Sequence, residues 1–368
     1  MGEFEKGEKN PKIIGVGEAE TRGVRHGYIV DSTLAVTSLK QALSIAEKSA
    51  NIKIKRAYVA ISGTTLRSNI SAGMVVVSKA DGEVTNLDVA KVLEDCEENL
   101  NLSNRKIIQV SPVSFRLDGK EVLGRLEGMH GTKLEAKALF VTYSIQHLED
   151  LLEAVEEAGV KTIDVIPSPI ALSNVVLTER QKIVGVALVS IGDQTTSVAV
   201  FEDGLLISVQ TFSIGSSDIT NDIALILKIP LETAERLKQG VIDETISNKK
   251  LVEIIDARLS DIFESLDDHF KKIKRNGLLP AGVIFVGGGA NIKGLEEASK
   301  TMLKLPSTIG TTDLFNNSKT KLRDSAWYTA LGLLVTAQDS ESYGDSSIGS
   351  FFKDVKNAIK TSIKQLMP

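Results

Sequence analysis

The sequence predicts an α/β protein of two or three domains, built around a cleft that binds a nucleotide. Two glycine-containing elements indicate the cleft: a hairpin over residues 184–204, and three glycines at 287–289 that follow the apolar stretch 282–286. Residues 81–163 differ from the flanking sequence in their pattern of predicted strands and helices. This compact αβ block is predicted to be an insertion. The 368 residues suffice for such a division and for a sizeable buried core.

The hairpin joins two β-rich runs, residues 184–191 and 195–201, through a tight turn. Its loop consists of Gly192, Asp193, Gln194, Thr195 and Thr196. The amides and threonine hydroxyls of such a loop can bind phosphate oxygens, but an ordinary hairpin turn fits the pattern equally well. Asp193 opposes tight phosphate binding, because its carboxylate repels a polyphosphate unless Mg²⁺ lies between them.

The second glycine element, Gly287-Gly288-Gly289, lets the backbone approach a base or ribose closely, with a bulge or tight turn as the alternative. Glu235 and Lys238 lie three residues apart on a predicted helix, where they can hold ribose hydroxyls and stack along adenine. On its own such a pair is more typical of a solvated helix surface. Each element alone is weak evidence for a nucleotide.

Composition argues against several classes of protein. The formal net charge of −5 does not suit a general nucleic-acid binder. The single cysteine, Cys96, excludes an intrachain disulfide and is predicted to be a small core residue in a reducing cytosol. The histidines have no metal-ligand spacing, and no Walker lysine loop or nucleophile elbow is present, so we predict no metal site and no catalytic residue. No stretch approaches the roughly 18 apolar residues of a membrane span, and we expect a cytoplasmic protein.

Strands and helices are predicted both before the αβ block and within it. Strands are predicted at 13–16, 28–30 and 57–61, and a helix with apolar residues near helical spacing at 34–49. In the αβ block, Thr85 and Asp88 form a capping-box variant that begins a helix at 87–100. The block continues with strands at 107–117 and 133–143 and an amphipathic helix at 145–158.

The sequence after the αβ block begins with a helix start at 167–169, where two prolines flank a serine. Asp218 is predicted to be the N-cap of a helix at 219–227. The other predicted elements are a strand at 205–214, helices at 231–238 and 326–336, and a charged, largely helical stretch with an apolar stripe at 242–276.

The C-terminal segment differs from the rest of the chain. Residues 338–349 have a linker composition, and residues 351–368, with four lysines and one aspartate, are amphipathic at 100° per residue. The residues predicted to contact an anionic membrane surface are Phe351, Phe352, Val355, Ile359, Ile363, Lys353, Lys356 and Lys360. The alternative is a helix that docks on its own core or on a partner protein.

Together these features resemble the FtsA family of bacterial cell-division proteins, which belong to the actin and sugar-kinase ATPase superfamily. The resemblance spans almost the whole chain in the family's order. Besides the hairpin, the matching strings are IIGVGEAETRGVRHGYIVD, YVAISG, EVTNLDVAKVLEDC, GMHGTKLEAKALFVTYS, EEAGVKTIDVIPSPIA, IGSSDITNDIALILKIPLETAERLKQG, VGGGANIKGLEE and YTALGLL.

The resemblance implies an actin-like (ribonuclease H-like) two-lobe α/β fold with an inserted αβ subdomain and a C-terminal amphipathic helix. The first lobe would comprise residues 1–80, 164–182 and 326–337, and the second lobe residues 183–241 and 278–325. The implied remaining parts are the insertion at 81–163, a helical subdomain at 242–277, the linker at 338–349 and the membrane helix at 350–368.

The implied cofactors are ATP and Mg²⁺, held between the lobes. The implied nucleotide-binding residues are Gly192, Gln194, Thr195, Thr196, Glu235, Lys238, Gly287, Gly288 and Gly289. The implied function is to tether filaments of the tubulin-like FtsZ to the inner face of the cytoplasmic membrane at the division site, to polymerise and to recruit other division proteins. The insertion would contact the next subunit of the filament.

The acidic C-terminal peptide of FtsZ would dock on the helical subdomain. Arg258 matches one contact position, and Lys249 and Lys250 are weaker candidates; solvated helix surface is the alternative for all three.

Three departures from the family pattern concern hydrolysis. The family's first strand and its Asp-containing first phosphate loop would lie before Met1. Ser190 and Ser197 stand where the hairpin normally carries acidic residues, and Ser168 replaces a glutamate. Because carboxylates orient the metal and the attacking water, we expect at most a weak ATPase.

Two other functions fit parts of the sequence pattern. The pilus-assembly protein PilM is also an actin-like ATPase with an inserted subdomain, but it would not need a basic amphipathic tail behind a linker. A sugar kinase would need a carboxylate base in the cleft, and only Asp193 lies near the hairpin.

Overall fold

The computed structural model of the chain describes residues 1–3, 11–122, 124–242, 246–312 and 324–342, without the side chains of 338–342. The residues predicted to contact a membrane, at 351–363, therefore lie outside the described residues, as does the predicted linker from 343 onward. No helix in the described ranges is long and apolar enough to cross a bilayer.

The described ranges contain runs of consecutive strands and runs of consecutive helices. The strands are β1 (Gly2–Glu3), β2 (Lys12–Ile13), β3 (Val24–Arg25), β4 (Tyr28–Ile29), β5 (Arg56–Ile61), β6 (Arg67–Val76), β7 (Arg105–Leu117), β8 (Lys120–Val122), β9 (Lys133–Ser144), β10 (Lys161–Pro167), β11 (Val186–Ile191), β12 (Thr196–Glu202), β13 (Leu205–Phe212), β14 (Val283–Val286) and β15 (Ser307–Ile309). The helices are α1 (Ser32–Ala50), α2 (Asn86–Glu98), α3 (Ile145–Glu157), α4 (Ser168–Val176), α5 (Glu179–Val184), α6 (Ser216–Leu227), α7 (Leu231–Lys238), α8 (Asn248–Lys272), α9 (Leu295–Leu303) and α10 (Tyr328–Ser342). Short 3₁₀ turns cover Gly288–Asn291 and Ser325–Trp327.

A nine-stranded mixed sheet runs through the molecule in the order β15-β14-β11-β12-β13-β6-β9-β7-β8. β11 pairs antiparallel with β12, as the predicted hairpin requires, and parallel with β14. β13 and β6 share a single registered pair, Gln210 with Arg67, so the sheet is almost interrupted at this junction. β6 precedes residue 81 but pairs with β9 along its whole length, so it shares the sheet of the αβ block. β10 and β5 form a separate parallel pair.

Three clusters of buried apolar side chains form the core. The first packs α6, α7, α8 and α9 on β11, β12 and β14, and it contains Phe263, Phe270 and Phe285. The second lies among β5, β9, α4 and α10 and the opposite face of β11. The third fills the αβ block and includes Cys96, which is fully buried as predicted. Burial raises the pKa of the Cys96 thiol to about 11, so this thiol is unreactive at neutral pH.

One helix start differs from the prediction. The N-cap of α6 is Gly215, and Asp218 is instead the third residue of the helix, where its carboxylate accepts the Gly215 N–H at 2.8 Å. The reason is a close approach, since a Cβ at Gly215 would lie 2.3 Å from the Asp193 carbonyl oxygen. The chain can enter α6 at this point only through a glycine.

The predicted strand at 13–16 is also too long, because β2 ends at Ile13. The following residues cross α1 instead, and a Cβ at Gly17 would lie 2.0 Å from the Ala42 carbonyl oxygen. At the other end of the chain, α10 continues to Ser342 and so includes five residues predicted as linker. The Thr85 and Asp88 capping box at the start of α2 is confirmed.

Candidate functional site

The two predicted glycine elements lie side by side. β11 and β14 are parallel neighbours with Ser190 opposite Val286, so their carboxyl ends meet at one edge of the sheet. Gly287 has φ +88°, and a Cβ there would lie 2.4 Å from the Ile191 carbonyl oxygen. A Cβ at Gly289 would lie 2.3 Å from Ile191 Cγ2. These two glycines are therefore required for the close approach, and the edge where they lie is the usual ligand position in α/β sheets.

The hairpin loop turns its carbonyl groups inward. The Gly192 and Asp193 carbonyls accept the backbone N–H groups of Ser216 and Ser217, at 2.9 and 2.8 Å, and the Thr195 carbonyl accepts the Gly192 N–H at 2.9 Å. The Ser217 hydroxyl also donates to the Asp193 carbonyl. The first turn of α6 therefore holds the loop from beneath.

The amides of the same loop are available. Across the part of the chain that the structure describes, the N–H groups of Asp193, Gln194 and Thr195 donate no hydrogen bond. Three successive amides without an acceptor, on a loop whose Gly192, Asp193 and Thr195 carbonyls are bonded, can serve as donors to an anion. Asp193 is exposed at this loop and opposes the attraction, as its position in the sequence predicts.

Thr196 lies beneath the loop and is fully buried. Its hydroxyl donates to the Ile214 carbonyl at 2.8 Å and so braces the hairpin against the end of β13. Thr195, by contrast, is half-buried at the loop surface. The two threonines predicted to contact phosphate thus face different environments.

Glu235 and Lys238 form a hydrogen-bonded network in which the Lys238 side chain is largely buried and the Glu235 side chain is 39% exposed. Their side chains are 2.7 Å apart, and that of Lys238 is only 8% exposed. The Lys238 ammonium donates to the Ser216 carbonyl and to the Thr220 hydroxyl, which in turn donates to Glu235 at 2.6 Å. Burial raises the pKa of the Glu235 carboxyl, but the hydrogen bonds from Lys238 and Thr220 outweigh burial and hold it below its ordinary value. The Glu235 charge is thus retained close to the first turn of α6.

Through Ser216 the pair is linked to the hairpin loop, since Ser216 bonds Lys238 with its carbonyl and Gly192 with its amide. The predicted nucleotide-binding residues are consequently distributed over neighbouring elements at the end of β11. Ser216 itself was not predicted, because a serine after a glycine is common at helix starts and carries no signal of its own.

The serines at the family's acidic positions take structural roles. Ser197 is buried and shares a hydrogen bond with Thr211 at 3.1 Å, and the Ser168 hydroxyl donates to the Ile61 carbonyl. Ser190 pairs with Ser197 across the hairpin. Within the described ranges, no group of three carboxylate, histidine or cysteine side chains could hold a metal ion. A phosphate-bound Mg²⁺ would have Asp193 as the only carboxylate of the hairpin loop to contact.

The three cations predicted to bind an acidic peptide lie on α8, and they differ in surroundings. Arg258 is held by two carboxylates: Nε and Nη2 donate to Asp222 at 2.7 and 3.0 Å, and Nη1 donates to Asp261 at 3.1 Å. The hydrogen bond to Asp222 raises the pKa of the Arg258 guanidinium. Lys249 is far more exposed and lies 4.0 Å from Glu253, and Lys250 is exposed.

Comparison with known proteins identifies the family. The sequence model described as "Cell division protein FtsA" matches residues 187–332, and the one described as "SHS2 domain inserted in FTSA" matches residues 63–142. The chain is 30% identical to the cell division protein FtsA of Streptococcus pneumoniae serotype 2 (strain D39) over 336 residues, which cover 84% of this chain and 73% of that protein. The chain belongs to the FtsA family. It is also 28% identical to FtsA of Bacillus subtilis (strain 168), over 95% of this chain and 82% of that protein.

FtsA membership confirms the resemblance and gives this protein a role in bacterial cell division. A solved structure titled "PilM-PilN type IV pilus biogenesis complex" superposes with a TM-score of 0.61 and 15% identity, covering 85% of this chain and 87% of that chain. This likeness, with the matched inserted domain, confirms the actin-like fold. At such low identity it says nothing about pili, and the FtsA matches leave a PilM-like role less supported.

Proposed function

We propose that this FtsA-family protein is a nucleotide-responsive scaffold that binds ATP at the carboxyl ends of β11 and β14. The observation that carries the proposal is the set of three unbonded amides at Asp193, Gln194 and Thr195. A polyphosphate supplies the oxygens that such amides lack, and it brings a charge large enough to draw two lobes together.

The rest of the nucleotide would lie along the neighbouring elements. A Cβ at Gly288 would meet no atom within 4 Å, so the glycine run opens to free space at this residue, where a sugar or base can approach the backbone. Glu235 can accept ribose hydroxyls while Lys238 keeps it ionised. Gln194 and Thr195 would contact phosphate directly, and Thr196 would hold the hairpin in shape.

Hydrolysis is proposed to be weak or absent. An attacking water needs a base or an oriented metal, and the hydroxyls of Ser168 and Ser197 are already bonded to other protein groups. Asp193 is the only carboxylate of the hairpin loop, and it is exposed. Binding without efficient turnover suits a scaffold whose assembly depends on nucleotide.

FtsZ is the proposed partner, docking through its acidic C-terminal peptide on α8. Lys249 and Lys250 are exposed and available for a first encounter. Arg258 already has two carboxylate partners, so a peptide carboxylate would have to replace at least one of them. Binding at Arg258 exchanges one ion pair for another. Arg258 therefore adds little to the free energy of peptide binding.

The membrane contact is proposed from the sequence of residues 350–368, with the lysine flank on anionic headgroups and the apolar face in the interface. The protein would then act on the inner face of the cell membrane at the division site, polymerise and recruit other division proteins. Family membership supports this arrangement.

The test is ATP binding by the full chain, measured by titration calorimetry, in the wild type and in Gly288→Val. The wild type should bind ATP, and Gly288→Val should bind at least tenfold more weakly with an unchanged melting temperature, because its side chain enters open space. His130→Ala, an exposed substitution in the αβ block, is the matched control and should bind as the wild type does. Absence of binding by the wild type, or full affinity in Gly288→Val, would refute the proposed cleft.

A further inference from the structure

The hairpin loop is contacted by a residue of the other lobe. This residue belongs to none of the nucleotide motifs. His26, in the turn of the β3–β4 hairpin, makes two hydrogen bonds to Gln194. Its backbone N–H donates to Gln194 Oε1 at 2.8 Å, and its ring Nδ1 lies 3.1 Å from the Gln194 carbonyl oxygen. Because a carbonyl can only accept, Nδ1 must carry the proton in this contact. The two residues are separated by 168 positions in the chain.

The β3–β4 hairpin is anchored firmly in the first lobe. Gly27 packs so tightly on the loop after β5 that a Cβ would lie 2.5 Å from the Gly63 Cα. Tyr28 stacks on the His147 ring with 3.8 Å between ring centroids. The Tyr143 hydroxyl lies 2.7 Å from the Ser62 carbonyl and 3.4 Å from the Gly27 carbonyl. His26 is therefore presented to the second lobe on a rigid support.

The contact completes the inward bonding of the loop carbonyls. Ser216, Ser217 and the hairpin's own turn bind three of them, and His26 binds that of Gln194. In a peptide unit the carbonyl and the following N–H point in opposite directions, so fixing the Gln194 carbonyl also fixes the Thr195 amide. The side-chain oxygen of Gln194 is directed to the first lobe at the same time.

We infer that His26 is a positioning residue for the polyphosphate of a bound nucleotide, acting through the Gln194 carbonyl to aim the Thr195 amide into the anion site. The inference rests on the proposed nucleotide binding and goes beyond it, because it makes the first lobe's hairpin part of the phosphate site. Closure of the lobes and alignment of the loop are then one event. A nucleotide that meets separated lobes encounters a less ordered loop and binds it more weakly.

The backbone at position 26 restricts which residues can do this. His26 has φ +48°, in the left-handed region, which asparagine tolerates better than most residues. The amide nitrogen of an asparagine can also occupy the place of imidazole Nδ1 and donate to the same carbonyl. His26→Asn therefore preserves both the backbone and the donor, whereas His26→Ala removes the donor and also suits the left-handed backbone less well.

The experiment compares ATP, inorganic tripolyphosphate and adenosine as ligands of the full chain by titration calorimetry. His26→Ala should weaken ATP and tripolyphosphate roughly three- to tenfold, the effect of one lost hydrogen bond that orients the site. Adenosine affinity should not change, since the base and ribose lie along other elements. His26→Asn should bind all three ligands within about twofold of the wild type, and His130→Ala is the control for loss of a histidine.

Each outcome decides the inference. If His26→Ala binds tripolyphosphate as tightly as the wild type, or if His26→Asn is as weak as His26→Ala, His26 does not position the loop, while the proposed function stands. If the wild type binds neither ATP nor tripolyphosphate, the proposed function falls together with the inference. Should His26→Ala fail to fold, His26→Gly, which suits the left-handed backbone and removes the same ring donor, replaces it and must weaken tripolyphosphate without weakening adenosine.

Discussion

Arg258 on α8 and Asp222 on α6 form a two-point ion pair, with Nε to Oδ2 at 2.7 Å and Nη2 to Oδ1 at 3.0 Å. Their side chains are 29% and 26% exposed, so water reaches the pair only in part. Planar guanidinium and carboxylate groups match in this geometry, which fixes α8 against α6. The same pair occupies Nε and Nη2 of the arginine, and Asp261 accepts from Nη1.

The ion pair between Arg258 and Asp222 is expected to limit the affinity for FtsZ. Asp222→Ala should free the Nε and Nη2 donors of Arg258 and strengthen binding of an FtsZ C-terminal peptide by about two- to fivefold, whereas Arg258→Ala should weaken it by a similar factor. Fluorescence anisotropy with a labelled peptide measures both, and Asp256→Ala, an exposed carboxylate on the same helix, is the control for the change in charge. Equal affinities in all variants would remove Arg258 from the peptide site.

A second prediction concerns acid stability of the αβ block. Asp88 is fully buried, and it accepts hydrogen bonds from the amides of Ser78 and Thr85 and from the Thr85 hydroxyl. Burial alone would raise the pKa of Asp88, but these hydrogen bonds outweigh it and lower the pKa to about 2. A carboxyl with a depressed folded pKa stabilises the fold above its unfolded value of 3.8, and this contribution is lost as the pH falls toward 2.

Asp88→Asn should therefore lower the free energy of unfolding by about 2 kcal/mol at pH 7, and by much less at pH 2.5. Urea unfolding of the full chain at the two pH values gives the difference. Glu98→Gln, at the exposed end of the same helix, should change neither value. A pH-independent loss in Asp88→Asn would show that packing, and not ionisation, is responsible.

Neighbouring glycines supply a third prediction. Gly287→Ala should cost about 2 kcal/mol or more of stability, because Gly287 has φ +88° and a Cβ there would collide with the Ile191 carbonyl. Gly288→Ala should change the melting temperature little, since its Cβ enters open space. Thermal unfolding of the two variants tests this, and equal losses would mean that the glycine run is not packed on β11 as described.

The fourth prediction concerns the C-terminal segment. Deletion of residues 349–368 should abolish co-sedimentation with vesicles that contain anionic lipid, because the apolar face and the lysine flank are removed together. Neutral vesicles should bind the intact chain more weakly than anionic ones. Unchanged pelleting of the deletion variant would place the membrane contact elsewhere or exclude it.

Local pattern predicted most of the elements of this fold. The hairpin and the glycine run were recognisable from β-rich runs and glycines, and parallel pairing of β11 and β14 explains why they meet. The burial of Thr196 follows from strand alternation. Val198 and Val200 lie on the same face of β12 as Thr196, and both are core residues. Thr195, one position earlier, lies half-buried at the loop surface.

Contacts between distant segments could not be predicted in the same way. His26 and Gln194 meet only because the lobes are placed together, and no local pattern marks either residue as a partner of the other. Asp222 likewise gives no sign on α6 that it will hold Arg258. The N-cap of α6 was misplaced for a related reason, since a clash across the hairpin loop selects Gly215, and propensity alone favours an aspartate.

The single registered pair between Gln210 and Arg67 has a consequence for the order of folding. The αβ block joins the long sheet through almost no backbone bonds, and β6, β7 and β9 pair with one another within one continuous stretch of chain. During synthesis these strands can assemble before β11 has been made. β5 must wait for β10, from which the whole block separates it. The inserted block is thus expected to fold first. Its folding brings β5 and β10 close enough to pair.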